Sequence, residues 1–191
     1  ARERHSSSRF NTLGYPQRCI RTHDHLYICN FQPRRWPAGP AQKFDSVVYN
    51  EKNQLVKSTL GPAHGGYHDI DACPSLTYLI EHHDDPKITK YLNLAVARRP
   101  AAELFDIRKD PSCLNNLAEV DEFASVRKEL DEKLMKYLKQ TGDPRAGDNA
   151  DVWETYPRVS HLRWFPQPAW AKEDPSQLPR QDWLDARRPR K

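Results

Sequence analysis

One stretch limits the fold of this chain more than any other. Over 121–141, Phe123, Val126, Leu130, Leu134 and Leu138 recur at spacings of three and four, which lines them up on one face of an α-helix. Asp121 stands where a cap belongs, and Gly142 with Pro144 ends the run. A helix with a single apolar stripe must lay that stripe on another surface. One other stretch qualifies: Asp85 caps it, Pro86 fits its first turn, and Ile88, Tyr91, Leu92, Ala95 and Val96 form its apolar face until Arg98-Arg99-Pro100. Strands account for the rest of the pattern. Runs 18–22 and 26–31 flank His23-Asp24-His25 as an antiparallel hairpin, and 103–107 alternates as a third strand. The class is α+β.

The remainder is punctuation and tail. Residues 32–76 hold no long periodic pattern, with turn signals at Gly61-Pro62 and Gly65-Gly66, and read as a long loop that covers a site or meets a partner. From 143 onward seven of 49 residues are proline, and Trp153, Trp164, Trp170 and Trp183 fall there, so this segment reads as an extended wrap. Ala1-Arg2-Glu3-Arg4-His5 has no Met and no apolar leader, and reads as the interior of a longer chain. Thirty basic against 26 acidic residues leave a net charge of +4, too small an excess to point to nucleic acid. No apolar run approaches the ~18 residues of a membrane span. Five Trp, eight Tyr and six Phe supply burial that disordered chains lack.

Cys19, Cys29, Cys73 and Cys113 form no C-x-x-C pair. An even count permits two disulfides, yet Cys19 and Cys29 fall in apolar runs where a free, buried thiol packs as a small hydrophobe. Arg2-Glu3-Arg4-His5-Ser6-Ser7-Ser8-Arg9 concentrates guanidiniums, an imidazole and hydroxyls. The rigid donor fork of Arg suits sulfate, phosphate or carboxylate, so this segment is either one wall of an anion site or a solvated end. His23-Asp24-His25 fits a hairpin turn better than a metal cluster. His64-Gly65-Gly66-Tyr67-His68-Asp69-Ile70-Asp71 is a pocket-lining loop or a surface turn, since two glycines let the backbone approach a ligand. His82-His83-Asp84-Asp85 belongs to a helix cap. No G-x-S-x-G, Walker loop or H-E-x-x-H is present.

Three stretches carry a resemblance. The run 99–111, R-P-A-A-E-L-F-D-I-R-K-D-P, continues into Leu114-Asn115-Asn116-Leu117-Ala118; it is similar to the R-P-A-E-E-L-Y-D-L-x-x-D-P-x-E-x-x-N-L-A signature of type I sulfatases in the sulfamidase (N-sulfoglucosamine sulfohydrolase) branch. Tyr15-Pro16-Gln17-Arg18-Cys19-Ile20-Arg21-Thr22 and Leu26-Tyr27-Ile28 resemble that family's P-x-R-A-x-R-T strand and its partner. Thr141-Gly142-Asp143-Pro144 resembles its closing T-x-D-P. The resemblance spans 1–144 in order. It implies the C-terminal subdomain of an alkaline-phosphatase-like sulfatase over 1–142, a small antiparallel sheet packed on the 121–141 helix, with 143–191 as a tail. Both helices and the third strand are then expected to share one core with 18–31.

It also implies hydrolysis of sulfate esters or sulfamates of carbohydrates, with this segment supplying the pocket rim. The rim residues would be Arg4 and His5 in the 1–16 edge, with Arg18 and His68 behind them. The family's nucleophile is a formylglycine made from C-x-P-S-R or S-x-P-S-R, and calcium polarises the sulfate. Cys73-Pro74-Ser75-Leu76 lacks the spacer and the Arg and comes too late in the order. Calcium and formylglycine therefore belong to an N-terminal catalytic domain, the expected partner, together with a sulfated carbohydrate; neither nucleic acid nor membrane is expected. The resemblance suggests a periplasmic or secreted protein. A rival reading is a non-enzymatic anion- or glycan-binding module derived from such an enzyme.

Overall fold

A computed structural model describes residues 8–51, 54–156 and 165–173. In chain order the elements are β1 (Gln17–Arg21), β2 (His25–Asn30), β3 (Phe44–Tyr49), β4 (Leu55–Leu60), α1 (Pro74–Glu81), α2 (Pro86–Val96), β5 (Ala102–Asp106), α3 (Ala124–Gln140) and α4 (Ala169–Glu173). The described residues divide into two compact units, 15–34 with 98–153, and 8–14 with 35–51, 54–97, 154–156 and 165–173. No helix among the described residues is long and apolar enough to cross a membrane.

The first unit is an antiparallel sheet in the order β1-β2-β5 against α3. Register sets Ile20 opposite Tyr27, and Tyr27 opposite Leu104. Because side chains alternate across a strand, these fall on the face that meets Leu130, Leu134 and Leu138 of α3, with Ala118 completing the core. Each buried leucine there is worth about 1.5–3 kcal/mol. The α+β expectation of a small antiparallel sheet on a helix holds, each strand beginning one residue earlier than the pattern indicates. Asp121 does not cap the helix. Residues 121–123 form a 3₁₀ turn instead, and Phe123 takes the N-cap position with no side-chain hydrogen bond. At the other end Gly142 adopts φ +70°, its N–H reaches Lys139 O at 3.2 Å, and Asp143 N reaches Leu138 O at 2.8 Å. That pair of bonds is a Schellman stop, which a glycine in the left-handed region makes possible.

The signature residues turn out to be fasteners of this unit. Asn116 Oδ1 accepts from Leu104 N at 2.8 Å and Ala118 N at 3.0 Å. Asp110 Oδ2 accepts from Leu114 N at 2.8 Å and Asn115 N at 2.7 Å. Buried Asn30 donates to Glu103 Oε2 at 2.8 Å and Pro100 O at 2.7 Å, and accepts from Gln17 Nε2 at 2.6 Å. A buried polar group is tolerable when its partners are this complete.

The second unit corrects two expectations. Residues 32–76 are not one loop: β3 and β4 pair there as an antiparallel hairpin, and α1 begins at Pro74. Nothing forces a period on those strands, since Val48, Val56 and Leu60 are exposed. Helix α2 does not join the sheet core either. Its buried Leu92 and Val96 pack with Ala38 and Tyr67, fringed by Leu76, Leu79 and Ile80 of α1. Tyr91 and Ala95, read as part of its apolar face, are exposed. Asp85 does cap α2, accepting from Lys87 N at 2.8 Å, and Pro86 occupies its first turn.

Two further differences concern the tail and the thiols. Residues 143–153 belong with the sheet unit, so the compact units do not part at 142/143. Short helical turns occur at Pro144–Ala146, Val152–Glu154 and α4, while Trp164 and Trp183 lie outside the described residues. All four cysteines are free. Cys19 is exposed rather than buried, because alternation along β1 turns it away from the face that carries Ile20.

Candidate functional site

The last two residues of the Arg- and His-rich segment are held by a buried brace in the second unit. Ser8 is wholly buried and donates from Oγ to His68 O at 3.1 Å. Arg9 donates from Nε to Trp36 O and from Nη2 to Pro37 O, both at 2.6 Å, and pairs with the Asp69 carboxylate. The carbonyls converge because the chain turns at Gly39, whose φ of +82° suits glycine, and a Cβ there would sit 2.8 Å from Ser8 O. Gly66 is tighter still: a Cβ would come within 2.0 Å of Pro40 O. Asn11 and Thr12 both take positive φ, 50° and 59°, which costs a β-branched residue most. Arg9 thus serves as an internal strut whose charge Asp69 neutralises. No spacing rule links Arg9 to Trp36, Pro37 and Asp69, which is why the sequence offers for Arg9 only an anion wall or a solvated end, and neither is an internal strut.

A second ion pair lies close by. Arg35 Nη1 donates to Glu154 Oε1 at 2.6 Å and to Gly14 O at 3.1 Å, while Gly14 N donates to Glu154 Oε2 at 3.2 Å. Both side chains are almost fully buried, at 3% and 2% exposure, so the pair stays closed. Between the two struts opens a cleft of about 250 Å³ whose wall includes Phe10, Trp36, Pro40, Gln42, Gln167 and Trp170.

Of the residues proposed from sequence for the rim, Arg4 and His5 lie outside the described residues. His68 is half-buried in the second unit, its ring centroid 6.0 Å from that of Phe165. Arg18 belongs to the first unit, where its fork grips Asp143, Nε to Oδ2 at 2.6 Å and Nη2 to Oδ1 at 3.1 Å, while Nη1 donates to Gln17 O at 2.9 Å. Burial pushes the Asp143 carboxyl up, but the Arg18 hydrogen bond, the Arg145 backbone N–H and both guanidinium charges outweigh it and hold the group below its ordinary range.

The histidine loop is arranged around Tyr67. Its hydroxyl lies 2.9 Å from His64 Nδ1, its φ is +61°, and burial pushes its pKa up. His64 and His83 rings sit 4.5 Å apart, yet no group of three or more metal-ligating side chains occurs among the described residues. His23 bonds Asp24 at 2.8 Å in the β1–β2 turn. Cys73 is exposed at the start of α1, its carbonyl accepting from Thr77 N at 3.1 Å, and its side chain makes no cap hydrogen bond. No protein-family model and no curated protein matches the chain.

Proposed function

We propose that this chain is the C-terminal part of a sulfatase that hydrolyses sulfate esters or sulfamates of carbohydrates, and that it contributes to the rim of the substrate pocket. One observation carries the reading. The stretches that resemble the sulfamidase branch, 15–22 with 26–28, 99–118 and 141–144, are far apart in sequence but fold into one unit, where Asn116 and Asp110 fasten the loop after β5 and Arg18 joins β1 to Asp143 just past α3. The rim chemistry falls to Arg4 and His5, which lead into the Ser8–Arg9 brace. A guanidinium offers paired donors to a sulfate or carboxylate, and an imidazole can donate to or accept from a sugar hydroxyl. The nucleophile and calcium would come from the N-terminal catalytic domain.

The test is made in the protein that carries this chain together with that domain. Arg4→Ala and His5→Ala should each lower kcat/KM on a sulfated glucosamine by about tenfold or more, the loss of one charged hydrogen bond, with the melting temperature unchanged. Wild-type kinetics for both variants would overturn the assignment of the rim. A non-enzymatic glycan-binding module is the second reading, and the aromatic cleft beside Arg9 favours it.

A further inference from the structure

We infer that the cleft between the Arg9 and Arg35 struts is a saccharide-binding site for an uncharged pyranose with equatorial hydroxyls. The inference stands on the cleft alone and does not require the sulfatase reading. Volume comes first: about 250 Å³ is roughly eight water volumes at ~30 Å³ each, room for one six-membered sugar ring with its hydroxyls. The lining comes second. Phe10, Trp36 and Trp170 are half-buried, and ligand sites of this kind combine an apolar wall with a few placed polar groups. A pyranose with equatorial substituents presents a flat face of axial C–H groups that packs on such rings.

The polar atoms decide the ligand's charge. Gln42 donates its Nε2 to Gly61 O at 3.1 Å, and Gln167 donates its Nε2 to Ala171 O at 3.4 Å. Each amide keeps its oxygen as an acceptor and a second N–H as a donor. A hydroxyl can donate to an amide oxygen and accept from the second N–H of such an amide, and so satisfies both kinds of atom. A sulfate can only accept, and gives no hydrogen to either amide oxygen. The guanidiniums do not reverse this preference, since Asp69 and Glu154 balance Arg9 and Arg35 within the same structure.

The experiment is calorimetric titration of the full chain with methyl β-D-glucopyranoside, run beside its 6-sulfate and a decaproline peptide. The neutral glycoside should bind with a Kd in the millimolar range, unchanged from about 0.05 to 0.5 M NaCl because no net charge is engaged. Trp36→Ala and Trp170→Ala should each weaken binding about tenfold. Gln167→Ala, an exposed side chain whose one hydrogen bond, to Ala171 O, is long at 3.4 Å, should weaken it about threefold with the melting temperature within a degree or so of wild type. Absence of saturable heat up to about 50 mM glycoside would overturn the inference, as would wild-type affinity in Trp170→Ala and Gln167→Ala together. So would tighter, salt-sensitive binding of the 6-sulfate, which would make this an anion site. Binding of the proline peptide in place of the sugar would make it a peptide groove.

Discussion

Replacing Arg18 by methionine keeps most of the side chain's bulk and deletes its fork. Two charge-assisted bonds to Asp143, at 2.6 and 3.1 Å, and one to the Gln17 carbonyl, at 2.9 Å, disappear. Each charged hydrogen bond is worth about 1.5–3 kcal/mol net, and stranding one partner of a buried pair costs about 3–5 kcal/mol. Asp143 keeps 18% of its side chain exposed and still accepts from Arg145 N at 2.9 Å, which moderates the loss to about 2–4 kcal/mol. Asp143→Asn retains the cap, since Asn serves there as well as Asp, so a double-mutant cycle isolates the pair, with a coupling of about 1.5 kcal/mol or more. The pH dependence has a definite sign. Because the folded state holds Asp143 below its ordinary 3.8, its contribution is complete above that value and is lost as pH falls through 3.8 toward the lower folded value. Urea melts at neutral pH should therefore show the widest gap between wild type and Arg18→Met, and melts below about pH 4 a narrower one. A destabilisation under about 0.5 kcal/mol, the usual cost of an exposed polar substitution, would return Arg18 to the pocket rim that its sequence motif suggests.

Other outcomes follow from the same geometry. Leu130→Ala should cost about 2–5 kcal/mol in chemical denaturation, because Leu130 is 4% exposed in the α3 stripe; a loss under about 0.5 kcal/mol would mean that the stripe does not face the sheet. Gly142→Ala should cost about 1 kcal/mol, since only its φ of +70° opposes a side chain. Gly39→Ala should cost clearly more, because its Cβ would also meet Ser8 O at 2.8 Å; equal melting temperatures for the two variants would refute the brace. Cys19 and Cys73 are exposed and should alkylate first at pH 8. Burial, then the Asp131 charge, pushes the Cys29 thiol up to about 11, leaving roughly one thiolate in a thousand at that pH, and mass mapping of the labelled peptides reads the order.

The legible parts of the molecule are those where one residue's surroundings follow from its neighbours in sequence. The α3 stripe, the Asp85 cap and the β1–β2 turn all rest on spacings of two to four, and periodicity reports such spacings directly. The hairpin of β3 and β4 escaped because it buries almost nothing, so its residues carry no alternation to read. Asp121 misled for a different reason. Any acid two residues before a stripe resembles a cap, and only the 3₁₀ turn at 121–123 moves the helix start past it. The candidate sites were least legible of all. Arg9 meets Asp69 across 60 positions, and Arg35 meets Glu154 across 119, distances over which one chain's composition holds no signal. The same limit hid the cleft, whose wall is drawn from three separate stretches of sequence.

Strands β2 and β5 lie side by side, with Cys29 opposite Ala102, yet Asn30 and the Glu103 that receives its hydrogen bond are 73 positions apart. Topologically, everything from 35 to 97 is one closed loop on the sheet's ledger of chain entropy. Closing such a loop costs more as it lengthens, but only logarithmically, about 0.6 kcal/mol for each doubling. Variation in its length is therefore nearly invisible to the sheet's stability, while the non-local β2–β5 pairing carries the delay in folding rate. The crossing from Asn30 to Ala101, closed by a backbone hydrogen bond of 2.8 Å, works as a port. Segments can be lengthened, shortened or exchanged behind it while the three strands and α3 keep their register.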